Sequence, residues 1–144
     1  MKTKKYLAFL MALICLFGFF AFAANATNQD YEENRASGLI FSYNLSASKE
    51  NSTTLVIYGL TSCDPAVVKC GFKNLKVQRR ANSSSSWSDF HDYGNVYEDT
   101  NLAAIGRTLT VDPGYQYRVT CKHYAKKNVL NTQTISNTSN IVTF

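Results

Sequence analysis

The chain has 144 residues, with 15 Lys and Arg, 10 Asp and Glu, four Cys and two His, which is room for one domain. Three lysines lie within the first five residues, and the remainder carries 12 positive and 10 negative side chains, a net charge of +2. That balance argues against a general nucleic-acid binder, and the 45% hydrophobic and 17% charged content argues against a disordered chain.

Residues 1–26 have the layout of a secretory signal. A basic start, MKTKK, precedes 19 apolar or glycine residues, 6–24, and Ala24-Asn25-Ala26 then supplies a small-x-small cleavage sequence. The lysine-rich start and long apolar run resemble Gram-positive bacterial signals. We predict cleavage and secretion. The alternative is an uncleaved membrane anchor through residues 6–24, which are long enough to cross a bilayer.

The chain after residue 26 reads as a short lead-in followed by strands. Residues 27–38 are polar without periodicity, which predicts a flexible lead-in to a domain over 39–144. Short apolar runs and segments that alternate apolar and polar residues are typical of strands. They cover about 39–46, 55–60, 75–80, 109–111, 115–122 and 141–144, with a hairpin near Trp87. About seven strands and no helical stripe predict an all-β sandwich.

Residues 111–121, VDPGYQYRVTC, resemble the E–F corner of a fibronectin type III domain. That family has an apolar residue, a proline two positions later and a tyrosine four after the proline, here Val111, Pro113 and Tyr117. Residues 75–80 with the following Ser-rich turn and Trp87 resemble its third strand and hairpin. The resemblance implies an antiparallel immunoglobulin or fibronectin type III-like sandwich, in which the Tyr117 hydroxyl bonds back to the backbone.

A second resemblance concerns export rather than activity. Residues 35–37, Trp87 and residues 124–126 are together similar to a family of small secreted Gram-positive proteins with no assigned function. This similarity implies a compact exported protein and supplies no ligand or chemistry. A sandwich fold by itself serves many unrelated functions.

Three cysteines follow the signal, an odd number for an exported protein. Cys63 closes the second predicted strand and Cys70 opens the third, so a short loop can bring them together. If Arg80 lies near Tyr115 when the third and sixth strands pair, Cys121 is too far from Cys70 to bond with it. Two alternatives stay open: a Cys63–Cys70 disulfide with Cys121 buried and reduced, or three reduced thiols.

No catalytic motif is visible. The sequence has no Gly-x-Ser-x-Gly, phosphate loop or zinc-spaced histidine pair, so we predict that the protein is not an enzyme and needs no cofactor or metal. His91 lies between Asp89 and Asp92, which we interpret as a solvated segment. His123 lies near Cys121, and we interpret this pair as core packing.

Aromatic side chains gather in the predicted hairpin region, at Trp87, Phe90, Tyr93 and Tyr97. Exposed rings at such a place stack on sugars or anchor a partner. The alternative is that these rings cover the open edge of a small core, and their irregular spacing along the sequence favours this alternative.

The third and sixth strands are neighbours in this fold, and their outward positions are rich in cations. The four are Lys76, Arg80, Arg118 and Lys122. No acidic residue occupies the six outward positions of these two segments. One hypothesis is a ligand face for a polyanion, such as the teichoic acids of a Gram-positive wall. The other is a charged outer face kept for solubility.

These observations predict a small secreted non-catalytic binding module that acts at or outside the bacterial cell surface. Its expected partner is an anionic cell-wall polymer or a surface protein, not a nucleic acid, and it meets a membrane only if residues 6–24 stay uncleaved. The alternative is a secreted inhibitor or toxin-like effector that acts on a protein target. A strand edge or loop fitting a protein groove would favour that alternative.

Overall fold

The computed structural model describes residues 34–35 and 38–144. The predicted signal, its cleavage site and most of the lead-in therefore lie outside the described residues. Residues 31–144 form one compact unit. Within the described ranges, no helix is long and apolar enough to span a bilayer.

The described chain is all-β, as predicted, and its strands form two antiparallel sheets. They are β1 (Asn34–Arg35), β2 (Ile40–Asn51), β3 (Thr54–Cys63), β4 (Lys69–Arg80), β5 (Ser88–Glu98), β6 (Leu102–Thr110), β7 (Gln116–Lys126), β8 (Thr132–Thr138) and β9 (Val142–Thr143). One sheet has the order β1-β2-β3-β6, and the other has the order β5-β4-β7-β8 with β9 beside β7. Seven strands are long and two have only two residues, and the arrangement is compatible with an immunoglobulin or fibronectin type III-like sandwich.

The core lies between the inward faces of the two sheets. Buried and less buried residues alternate along β3 and β7, because successive side chains of a strand point to opposite faces. Leu55 and Ile57 of one sheet and Val77 and Val119 of the other are fully buried in this core. Gly59 permits the close approach of the sheets, since a Cβ there would lie 2.8 Å from the Phe72 ring.

A β-bulge in β4 changes which of its residues point outward. Lys73 lies opposite Lys122 on β7, but the next register position pairs Lys76 with Thr120, so β4 contains one extra residue. Asn74 adopts a positive φ of 50° at the bulge, and its N–H donates to Asn95 Oδ1 at 3.0 Å. Lys73 and Lys76 therefore face the same side although they are three residues apart.

The bulge also explains an error in the predicted register. Arg80 lies opposite Gln116 and not Tyr115. The predicted offset holds for Lys73, on the far side of the bulge, and is wrong by one residue for Arg80. Alternation of apolar and polar residues shows parity but does not show where a strand gains an extra residue.

Tyr117 closes the turn that leads into β7. Its ring is fully buried and packs edge-on against Phe90 and Phe144 at centroid distances of 5.4 and 5.5 Å. Its hydroxyl accepts a hydrogen bond from the Asp112 N–H and donates one to the Asp112 carbonyl, both at 3.0 Å. This is the geometry of a tyrosine corner, and Val111 beside it is buried.

We expect Tyr117→Phe to lower the free energy of unfolding by about 1–2 kcal/mol, because it leaves two polar groups of Asp112 without their partner. Tyr115→Phe is the matched control. The Tyr115 backbone carbonyl accepts a hydrogen bond from the Phe144 N–H at 3.0 Å, and this bond survives the change. Urea denaturation of both variants measures the difference, and equal midpoints would contradict the assignment.

Candidate functional site

The outward face of the five-stranded sheet gathers basic side chains from β4 and β7. The register places seven there: Lys69, Lys73, Lys76, Arg80, Arg118, Lys122 and Lys126. The four cations predicted as a ligand face are all among them. The bulge adds Lys73, which the sequence analysis missed because simple alternation assigns it the opposite side.

Two pairs of lysines lie directly opposite each other across β4 and β7. Lys69 faces Lys126, and Lys73 faces Lys122. Like charges in directly opposed positions of a sheet destabilise it. The charge of Lys69 is compensated by an ion pair, since the Asp99 carboxylate lies 2.9 Å from its ammonium group. The other three ammonium groups have no carboxylate within salt-bridge distance in the part of the chain that the structure describes.

Two tyrosine rings lie between the lysine pairs. Tyr97 and Tyr124 both flank Gly71, one from β5 and one from β7, and their ring centroids are 5.2 Å apart. Gly71 is required there because a Cβ would overlap the Val96 carbonyl oxygen. The Lys73 ammonium lies 4.9 Å from the Tyr124 ring centre, a cation–π contact.

We call this group the lysine–tyrosine patch. It consists of Lys69, Lys73, Lys122, Lys126, Tyr97 and Tyr124. Both rings are half-buried, so each keeps part of its surface open to solvent.

Lys76, one of the four predicted cations, is neutralised by the neighbouring strand. Its ammonium lies 2.6 Å from Asp89 and 3.5 Å from Asp92, both on β5. The hydrogen bond and charge of Asp89 raise the pKa of Lys76, and hydrogen bonds from Gln78 and Lys76 lower the pKa of Asp89. These carboxylates belong to β5, so the outward positions of β4 and β7 alone do not reveal them.

Arg80 and Arg118 are held by Trp87. Their guanidinium carbons lie 4.5 and 4.4 Å from the centre of its ring. Arg80 also donates to Gln116 at 2.8 Å, and Arg118 donates to Gln78 at 3.0 Å. These contacts hold both arginines along the sheet, so Lys122 is the most exposed and least engaged of the predicted four.

The hairpin aromatics divide between the two faces of the sheet. Trp87 and Tyr97 lie on the outward face with the cations. Phe90 instead packs against Tyr117, and Tyr93 packs against the core. The two predicted roles therefore fall to different residues. Trp87 and Tyr97 lie where a ligand can stack on them, and Phe90 and Tyr93 cover the core.

His123 is fully buried and joins the two sheets through a polar network. Its Nδ1 is 2.7 Å from the Thr61 hydroxyl, and its Nε2 is 3.3 Å from the Asn137 amide nitrogen. The Asn137 amide oxygen accepts from the Thr138 N–H, so the amide nitrogen donates to Nε2. Nδ1 then carries the proton and donates to Thr61, whose hydroxyl donates to the Gly71 carbonyl. Burial lowers the pKa of His123 to about 4, so the ring is neutral near pH 7.

Cys63, Cys70 and Cys121 are buried free thiols. This matches the alternative of three reduced thiols and not the Cys63–Cys70 disulfide. Cys63 ends a strand of one sheet and Cys70 lies near the start of a strand of the other, where the Cys70 thiol donates to the Thr61 carbonyl at 4.0 Å. Burial raises the pKa values of Cys63 and Cys121 to about 12, so neither supplies a thiolate near pH 7.

Neither similarity to known proteins nor a metal-binding cluster indicates a function for the described residues. Searches with family models, against curated proteins and against solved structures return no match for this chain. Over residues 34–35 and 38–144, no three His, Cys, Asp or Glu side chains are grouped to hold a metal ion. His91 stacks edge-on against Tyr93 at 4.4 Å.

The buried network predicts how His123 titrates. In a His91→Gln variant His123 is the sole histidine of the chain. We expect its NMR ring signals to pass unchanged through about pH 6.5, where a free imidazole titrates, and to change near pH 4. A ring that titrates near pH 6.5 in the folded protein would contradict the network.

Stability should follow the same shift. Because the folded pKa lies below the unfolded one, the unfolded chain binds the proton first as pH falls. The buried neutral ring of His123 makes its full contribution to the free energy of unfolding above about pH 6.5. About 3 kcal/mol of that free energy is lost by about pH 4. Urea denaturation across this range measures the loss.

Proposed function

We propose that this protein is a small secreted, non-catalytic binding module that acts at or outside the bacterial cell surface. Its ligand is an anionic cell-wall polymer of the teichoic acid type, and the lysine–tyrosine patch binds it. The observation that carries the proposal is the direct opposition of Lys73 to Lys122 and of Lys69 to Lys126. A bound polyanion relieves the repulsion within these pairs.

The spacing of the patch suits a repeating ligand. Along β4 the two lysine pairs are four residues apart, roughly 13 Å at the rise of an extended strand. A chain with regularly spaced phosphates contacts both pairs at once, and the second contact is then intramolecular. Lysine ammonium groups bind phosphate as compact point charges, and the Tyr97 and Tyr124 rings offer flat surfaces for sugar or polyol units.

Other features support the class of protein. The tyrosine corner at Tyr117 and the seven long strands support a fibronectin type III-like module. The signal-like layout of residues 1–26 supports secretion. The protonated buried thiols and the neutral His123 support a role without nucleophilic catalysis.

Removal of charge from the patch tests the proposal. We expect Lys73→Gln/Lys122→Gln to weaken binding to purified wall teichoic acid by about thirtyfold, since each of the two lysines contributes about 1 kcal/mol to a phosphate contact in water. Binding of the unaltered protein should fade as NaCl rises past about 0.15 M, where the screening length is about 8 Å. Titration of the polymer by calorimetry or fluorescence measures both effects.

Two further variants serve as controls. Lys49→Gln/Arg107→Gln removes the same charge from exposed positions on the four-stranded sheet. Lys76→Gln/Arg80→Gln removes two cations of the outward face that Asp89 and Trp87 already engage. Both should lose less affinity than the patch variant. A patch variant that binds like the unaltered protein, with its fold intact by circular dichroism, leaves only the solubility hypothesis.

A further inference from the structure

The turn between β7 and β8 holds two aliphatic side chains in solvent. Val129 is 84% exposed and Leu130 is 97% exposed, more than any other large hydrophobic residue in the described chain. The turn is ordered by Asn128, whose side-chain oxygen accepts from the backbone N–H of Leu130 at 3.0 Å and of Asn131 at 2.9 Å. The apolar tip is therefore preorganised.

The strands behind this tip carry only positive charge. Lys126 and Lys127 immediately precede the turn. Residues 113–144, which include β7, β8 and β9, contain four cations and no acidic residue. An apolar tip above a basic stem matches a surface that is apolar inside and negatively charged outside.

A neighbouring loop extends the apolar surface at the same end. The Val68 N–H donates to the Lys126 carbonyl at 2.9 Å, which places Val68 at the base of the hairpin. Its side chain is 56% exposed. Lys69 follows it, paired with Asp99.

We infer that the β7–β8 tip inserts into the surface of an anionic lipid bilayer. Val129 and Leu130 enter the boundary between headgroups and acyl chains, while Lys126 and Lys127 contact lipid phosphates. A convex tip of two side chains is far smaller than the roughly 800 Å² that each partner buries in a stable protein interface, and a bilayer needs no matching groove. This inference goes beyond polymer binding, because the inserting residues Val129 and Leu130 are not part of the lysine–tyrosine patch, with which the tip shares only Lys126.

Vesicle sedimentation tests the insertion. The chain is used from Tyr31 onward, the compact unit, so that the apolar residues 6–24 cannot bind lipid themselves. We expect binding to vesicles of equimolar phosphatidylglycerol and phosphatidylcholine, and little binding to phosphatidylcholine alone. Val129→Ser/Leu130→Ser should weaken it by about tenfold or more, because the aliphatic groups no longer leave water.

Ile141→Ser is the matched control for Leu130→Ser alone. Ile141 is also an exposed aliphatic residue, 49% exposed, but it lies beside the start of β7, roughly 25 Å along the strand from the tip. We expect Leu130→Ser to lose affinity for the anionic vesicles and Ile141→Ser to keep it. Equal losses would show that any exposed aliphatic residue matters, which overturns a specific tip.

A fluorescent probe reports insertion directly. Leu130→Cys labelled with an environment-sensitive dye should shift its emission to the blue on phosphatidylglycerol vesicles, and Ser52→Cys, in the turn between β2 and β3, should not shift. The label is selective because the three native thiols are buried.

Each outcome of these experiments decides for or against the inference. Absence of binding to the anionic vesicles overturns it, and so does a tip variant that binds as tightly as the unaltered chain, since adhesion would then be through lysines alone. Val129→Ser/Leu130→Ser should still bind teichoic acid. Failure of polymer binding therefore leaves the vesicle result standing, and the two proposals fail separately.

Discussion

The antiparallel pairing of β4 with β7 is the contact on which the rest of the structure depends. Its inward side supplies Phe72, Val77 and Val119 to the core, and its outward side supplies all seven cations of the basic face. Both sets are positioned by the same backbone register. The bulge at Asn74 lets the inward alternation continue while an additional lysine reaches the outward side.

Two glycines and one buried histidine link the interior of the sandwich with its outward face. Gly59 has no side chain, so the Phe72 ring fits between the sheets. Gly71 has none on the outward face, where the Tyr97 and Tyr124 rings lie on either side of it. The Gly71 carbonyl also accepts from Thr61 in the network of His123. The polar network inside the sandwich and the patch outside it thus meet at one residue of β4.

Neutralised and free charges separate along the outward face. Next to β5, carboxylates engage Lys76, and the ring of Trp87 engages both arginines. Toward the β7–β8 hairpin, lysines face lysines and β7 and β8 carry no acid, although Asp99 pairs with Lys69. Three lysines without a carboxylate partner among the described residues, Lys73, Lys122 and Lys126, therefore lie toward the end that also holds the exposed Val129 and Leu130. The proposed polymer and lipid contacts both draw on this cluster of lysines, and Lys126 takes part in both.

The all-β class and the side to which most residues of the predicted strands point follow from the sequence, because the period of a strand is two and one face must leave water. The full lengths of the strands and β8 do not, since the Thr132–Thr138 segment is mostly polar. The sequence also singled out Tyr117, whose offset from Pro113 is a local feature. Only the tertiary structure decided the site. Lys73 faces outward because of a bulge that alternation does not reveal, and Lys76 is neutralised by carboxylates of β5. Cross-strand partners depend on register between distant segments, which local periodicity leaves open.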